Sequence, residues 1–278
     1  MAGARVVAVR YTSSDEELKR VFDSINGLFF PGGAANLSPG HPYFDGTHID
    51  GFPSIYKFLQ ASAKLFNWAL EANAKGTIYP IWGTCLGFEQ LAVLASGSNA
   101  TILSASGIFD SENYPAPVTL TANAASSELV GSMPDVLREA MESKNITFNA
   151  HGQGVDPEVF KSNPKLSGFF TDLATYVDKK GKPFVAMIEA KGGLPIYGVQ
   201  FHPEKAIFEW FVPSGIPHSP NAIFLAQYFT NFFVQKTRCN ANSFPGGLAQ
   251  EAQEVIQARA SHHSVHYDQY FAETYEFK

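Results

Sequence analysis

The sequence predicts an α/β fold: a mostly parallel central sheet, helices on both faces, and a site at the carboxyl ends of the strands. Two observations lead there. The first part of the chain alternates short apolar strands with amphipathic helices in the order β-α-β-α-β-α, which a parallel sheet with crossover helices requires. The third strand runs into a tight glycine-flanked turn, Gly83-Thr84-Cys85-Leu86-Gly87, the pattern of a nucleophile elbow with Cys in place of Ser.

The elements follow in order. Arg5 to Val9 is a short β-branched run and reads as a strand. Ser14 to Ile25 places Leu18, Val21, Phe22 and Ile25 at helical spacing, with Ser13 or Ser14 as cap. Gly27 to Phe30 is a buried-type strand ending in Pro31-Gly32-Gly33, and Ser54 to Asn73 a long amphipathic helix. Thr77 to Trp82 is the next strand, and Gly87 to Ala95 the helix after the elbow. Residues 100–150 look mixed, with short strands such as Val118-Thr119-Leu120. Phe184 to Glu189 and Ile196 to Phe201, separated by the turn at 191–195, read as an antiparallel excursion returning to the sheet. Asn221 to Arg238 is an apolar helix, and beyond Asn240 the chain reads as a polar surface tail or a late helix. The expected division is a catalytic unit over 1–238 and a C-terminal tail over 239–278.

Composition narrows the function. With 278 residues, 45% hydrophobic and 17% charged, the chain suits one large domain or two small ones. A net charge of −6 without a Lys/Arg-rich block argues against nucleic acid and anionic membrane as partners. No apolar run reaches the ~18 residues of a membrane span, and the opening Met1-Ala2-Gly3-Ala4-Arg5-Val6 is not a signal peptide. Two cysteines, Cys85 and Cys239, form no disulfide framework. Sequons stand at Asn36, Asn99 and Asn145, a pattern that also arises by chance.

The chemistry centres on Cys85. A thiol at such an elbow is expected to be lifted out of the sheet toward solvent, at a helix N-terminus whose dipole favours the thiolate. A cysteine nucleophile needs a base and a group to orient it. Gly198-Val199-Gln200-Phe201-His202-Pro203-Glu204 offers both, His202 at a strand end and Glu204 two residues on; in isolation the pair also reads as a strand-end His and a solvent Glu. Candidate oxyanion donors are the N–H of Leu86 and that of Gly33 or Gly32, though the glycine loop in isolation also reads as a plain strand-end turn. Glu89, one helical turn past Cys85, reads either as site-facing or as a solvated helix residue. His151, in Asn149-Ala150-His151-Gly152, reads by itself as a surface-loop histidine. His262, His263 and His266 lack an acidic partner at metal-binding spacing, so no metal is expected, and Cys239 reads as structural or incidental.

Taken together, Gly27 to Gly33, Tyr79 to Glu89, Tyr197 to Lys205, Phe208-Glu209-Trp210 and His218-Ser219-Pro220-Asn221-Ala222 resemble the γ-glutamyl hydrolases, or folylpolyglutamate hydrolases. These belong to the class I glutamine amidotransferase-like superfamily with its flavodoxin-like fold. The resemblance covers roughly residues 3–236. It implies Cys85 as nucleophile, His202 as base and Glu204 as third triad member, with Gly33 and Leu86 at the oxyanion and His151 and Glu89 binding substrate. It implies hydrolysis of γ-glutamyl amide bonds in folate or antifolate poly-γ-glutamates through a thioester, with no cofactor. It also implies a lysosomal, vacuolar or extracellular address and leaves a homodimer open. The rival readings are a glutaminase feeding ammonia to a synthase, and a non-catalytic binding protein. One departure stands out: the family carries a further strand and helix, with a tyrosine near the site, ahead of the segment matching Gly3 to Val7. The resemblance therefore implies an exposed strand edge and a poorly expressed or inactive chain, unless Tyr267, Tyr270 and Phe271 cover the gap.

Overall fold

In chain order the elements are α1 (Asp15–Phe22), β1 (Leu28–Phe30), α2 (Ile55–Ala74), β2 (Ile81–Thr84), α3 (Leu86–Ala95), β3 (Ser111–Ala116), β4 (Thr119–Leu120), α4 (Glu128–Gly131), α5 (Asp135–Ser143), β5 (Thr147–His151), α6 (Pro157–Ser162), α7 (Pro164–Phe169), β6 (Phe170–Val177), β7 (Pro183–Ala190), β8 (Ile196–Val199), α8 (Lys205–Phe208), α9 (Pro220–Thr237), α10 (Gly247–Glu254), β9 (Ser261–His263) and β10 (Glu273–Tyr275). The structure, a computed structural model, describes residues 2–35, 37, 55–210, 214–263 and 273–275.

The central sheet has the order β1-β2-β8-β7-β6-β4. β1, β2 and β8 run parallel, and β7, β6 and β4 are added antiparallel, so the expected parallel core with an antiparallel excursion is what forms. Side chains alternate between the faces of a strand. Ile81 and Ile196 accordingly pack with Phe66, Leu91 and Leu166 on one face, while Trp82 and Tyr197 pack with Leu225 and Phe229 of α9 on the other. Both faces are covered, which is why these strands read as continuous apolar runs.

Local signals set the helix ends. Ser14 caps α1 by accepting from the Glu17 N–H, and Ser219 caps α9 by accepting from the Ala222 N–H, with Pro220 in the first turn. The long helix is described from Ile55 onward; the expected start at Ser54 lies outside the described residues.

Three regions differ from the sequence reading or go beyond it. Arg5 to Val9 is not a sheet strand. Val7 makes an isolated antiparallel bridge with Val255, the Ile256 N–H donates to Val6 O, and the Val6 side chain stays exposed. Beyond Asn240 the chain forms the late helix of the two readings offered, α10, and is also tied to the body of the protein. The Asn26 amide donates to the carbonyls of Asn240 and Asn242, Asn242 donates back to Ile25 O, and Phe244 is buried. Tyr267, Tyr270 and Phe271 lie outside the described residues. Finally, β6 escaped notice because two irregularities in its pairing with β7 break the two-residue alternation that marks a strand.

Phe229 sits between Trp82 and Phe201, with ring centroids 5.6 Å and 5.8 Å away. Phe229→Ala should cost about 3–5 kcal/mol of unfolding free energy, read by urea denaturation. A loss below about 1 kcal/mol would mean that α9 does not hold this face of the sheet.

Candidate active site

Register brings the site together. Phe30 pairs with Gly83, and Thr84 pairs with Val199. The Pro31-Gly32-Gly33 loop, Cys85 and the segment after Val199 therefore leave the sheet at one edge, the carboxyl ends of three parallel strands.

Cys85 occupies a single residue between β2 and α3, with φ 52° and ψ −109°. A non-glycine residue there costs about 1–3 kcal/mol and persists only where its surroundings fix it. The Cys85 N–H donates to Val199 O at 2.8 Å, and the Glu89 N–H donates to Cys85 O at 3.0 Å. Gly87 explains how tightly the turn is held, since a Cβ on it would stand 1.9 Å from Phe30 O. The expectation that the thiol points into solvent is corrected: Cys85 is only 4% exposed. The Gly32 backbone and the His202 ring lie over it, and a Cβ on Gly32 would meet the His202 Cε1 at 2.6 Å and the Cys85 Cβ at 3.6 Å.

His202 faces Cys85 and Glu204 together. Its Nδ1 lies 2.6 Å from Glu204 Oε1, and the ring lies close enough to Cys85 for the sulfur to favour its charged form. Burial alone would lower its pKa, but the Glu204 carboxylate and then the Cys85 sulfur outweigh burial and raise it to about 10. Burial would raise the Glu204 carboxyl, yet the facing imidazole holds it below its ordinary value. Glu204 is part-exposed while its Oε2 is buried without a hydrogen-bond partner, so the carboxylate is committed to His202 through Oε1. The His202 backbone N–H donates to Phe148 O at 2.8 Å and so ties His202 to β5.

The same tie draws in His151, the last residue of β5 and buried, where the sequence suggested a surface loop. Burial pushes its pKa down to about 4; the Gln153 carbonyl on Nδ1 at 2.7 Å opposes this, and the His202 charge adds to it. Phe184 packs edge-on against the ring at 4.8 Å. Glu89 is likewise buried, not solvated. Burial lifts its carboxyl to about 7, against the pull of Gln200, whose Nε2 donates to Glu89 Oε1 at 3.1 Å, and of His202. Gln200 was missed from the sequence. Its Oε1 is buried without a partner, and the available signal was an amide in the middle of an apolar strand end. Gly33 borders the elbow, where a Cβ would lie 3.0 Å from Leu86 Cδ2. Leu86 opens α3, where the first N–H groups lack helical partners. Cys239 is exposed at the end of α9, His262 and His263 pair along β9, and His266 lies outside the described residues. The arrangement brings together a thiol, an imidazole facing it and a carboxylate hydrogen-bonded to that imidazole, the set of groups that nucleophilic catalysis by cysteine needs.

A folded-state pKa near 10 for His202, above the ordinary 6.5, makes its stabilisation complete below about pH 6.5 and lost as pH climbs toward 10. The stability advantage of the wild type over His202→Gln in urea should therefore shrink steadily between pH 6.5 and 10. A difference that stays flat across that range would contradict a charged His202. Gly32→Ala should displace the imidazole and slow alkylation of Cys85 by iodoacetamide at least about tenfold, with cooperative melting retained; unchanged alkylation would mean that the ring is free to move.

Residues 1–204 match the family described as peptidase C26. The gamma-glutamyl hydrolase of Mus musculus is 37% identical over 256 residues, covering 92% of this chain and 74% of that protein. Gamma-glutamyl hydrolase B of Dictyostelium discoideum is 34% identical over 243 residues, covering 87% of this chain and 64% of that protein. The gamma-glutamyl hydrolase of Homo sapiens is 33% identical over 256 residues, covering 92% and 73%. The chain thus spans between 64% and 74% of the length of these relatives. Among solved structures, a putative GMP synthase protein of Thermoplasma acidophilum has a TM-score of 0.42 at 18% identity, covering 83% of this chain and 80% of that one, a likeness that carries no argument. The match over residues 1–204, together with relatives above 30% identity, shows that this chain belongs to the peptidase C26 family.

Proposed function

We propose that this chain is a cysteine hydrolase that cleaves γ-glutamyl amide bonds of folate or antifolate poly-γ-glutamates. The observation that carries the reading is His202 held between Cys85 and Glu204 at the carboxyl edge of the sheet, in a chain of the peptidase C26 family. Cys85 Sγ attacks the γ-carbonyl carbon, and the C–N bond breaks as His202 delivers a proton to the leaving amine. The N–H groups of Leu86 and Gly33 hold the oxyanion of each tetrahedral intermediate. Water, deprotonated by His202, then releases the thioester as a γ-carboxylate. Glu204 keeps the imidazole oriented throughout.

His151 and Glu89 serve substrate binding in this reading. His151 is neutral at its depressed pKa and so presents a hydrogen-bonding ring, not a charge, beside the base. Glu89, with a pKa near 7, is in part a neutral acid at physiological pH and can donate to a substrate oxygen. The catalytic unit is residues 1–238. A lysosomal, vacuolar or extracellular address is favoured by the exposed sequon residues Asn99 and Asn145, and among the described residues no helix is long and apolar enough to cross a membrane.

Purified protein should release glutamate or oligo-γ-glutamate from a folyl poly-γ-glutamate and leave free glutamine intact; the opposite preference would select an ammonia-supplying glutaminase. Cys85→Ala should abolish turnover while the melting transition stays cooperative. His202→Ala should cost on the order of 10³-fold in kcat, and the Cys85/His202 double variant should be no worse than Cys85→Ala alone. Additive losses would remove the triad assignment. His151→Ala should impair hydrolysis but leave Cys85 reactive to iodoacetamide; loss of that reactivity would move His151 into activation of the nucleophile.

A further inference from the structure

Past Glu204 the chain carries aromatic residues that the triad does not use. α8 presents Phe208, 53% exposed, and is followed by Trp210, 68% exposed, whereas most of the described aromatic rings lie in or against the two cores. Leaving an indole in water forgoes a large burial term. One face of Trp210 has a partner. Its ring lies flat on the His218 imidazole, with centroids 3.8 Å apart and planes 5° apart.

The imidazole is itself clamped. His218 Nδ1 donates to Ala206 O at 2.9 Å, which fixes the proton on Nδ1 because a carbonyl only accepts. On one side the Gly215 N–H donates to Asn113 Oδ1, and on the other Ser219 caps α9. One face of the indole is therefore covered by a fixed ring while the other faces solvent. Trp210 also follows Glu204 closely along the chain. From Glu204 to Trp210 the chain makes one turn of α8 and two extended residues, a reach of at most about 15 Å.

We infer that the Trp210–His218 stack is the platform on which the flat aromatic head group of the substrate, a pterin or p-aminobenzoyl ring, lies while a γ-glutamyl bond reaches Cys85. This inference rests on the folyl poly-γ-glutamate reading of the site. A preformed aromatic face binds another flat ring by offset stacking at little cost in side-chain entropy. It makes Trp210 a specificity residue for aromatic-headed substrates over plain oligo-γ-glutamates, and it separates recognition of the head from recognition of the glutamyl chain.

The test uses the full chain carrying Cys85→Ala, so that ligands are not turned over. Folic acid and tri-γ-glutamate are titrated by calorimetry, with and without Trp210→Ala or Trp210→Phe. Trp210→Ala should weaken folic acid binding roughly 5- to 10-fold and leave tri-γ-glutamate unchanged, and Trp210→Phe should restore most of the loss. Equal weakening of both ligands would make the stack a structural clip and overturn the inference. Unchanged folic acid affinity would overturn it too, and a shift of oligomeric state in that same variant would assign the face to a second copy of the chain. If folic acid binding depends on Trp210 while the protein with Cys85 intact fails to cleave a folyl poly-γ-glutamate, the platform stands and the hydrolase reading falls.

Discussion

The close approach of α3 to β1 governs the rest of the molecule. Only a hydrogen fits between Gly87 and the carbonyl of Phe30. That contact lets the helix start one residue after the strand, which forces Cys85 into a left-handed backbone conformation and aims its side chain at the loop following β1. The strain is sustained because β2 lies between two parallel neighbours, β1 and β8, and cannot shift without breaking both ladders. Packing thus fixes the Cys85 backbone and side chain at the edge of the sheet.

Within that frame, two buried histidines acquire opposite characters from what each ring faces. His202 meets a carboxylate on Nδ1 and the cysteine sulfur, and the imidazolium is held to about pH 10. His151 meets a backbone carbonyl and the edge of Phe184, and burial holds it neutral down to about pH 4. A positive His202 also disfavours a second charge on His151. Glu89 stands between these extremes, desolvated but touched by a single amide donor. A charged imidazole, a neutral hydrogen-bonding ring and a partly protonated acid therefore coexist within one small region, separated by their surroundings.

The two ends of the described chain are linked in a way that bears on the exposed strand edge implied by the family resemblance. Val7 bridges Val255, and Arg5 and Arg20 form ion pairs with Glu251 and Glu254 of α10. The asparagines 26, 240 and 242 stitch the β1 approach to the end of α9. The N-terminal apolar run thereby gains partners from the C-terminal segment, although Val6 and Phe29 remain about half exposed.

Local sequence was enough for the βαβ order, the elbow and the strand end that carries His202 and Glu204. Each is a hydrophobic period or a short run of residues whose geometry follows from neighbours in the chain. The helix cap at Ser14, one of the two serines expected there, was legible for the same reason. It took the packed molecule to cover Cys85 against solvent, to bury His151 and Glu89 with shifted pKa values, and to join Gln200 to them. Exposure and pKa depend on groups brought in from distant segments: the Phe148 carbonyl, the Phe184 ring, the Gly32 backbone. Arg5 to Val9 makes the same point in reverse. Its β-branched residues suit a strand, but a strand exists only where a neighbour offers a ladder, and here the segment finds only an isolated bridge to Val255.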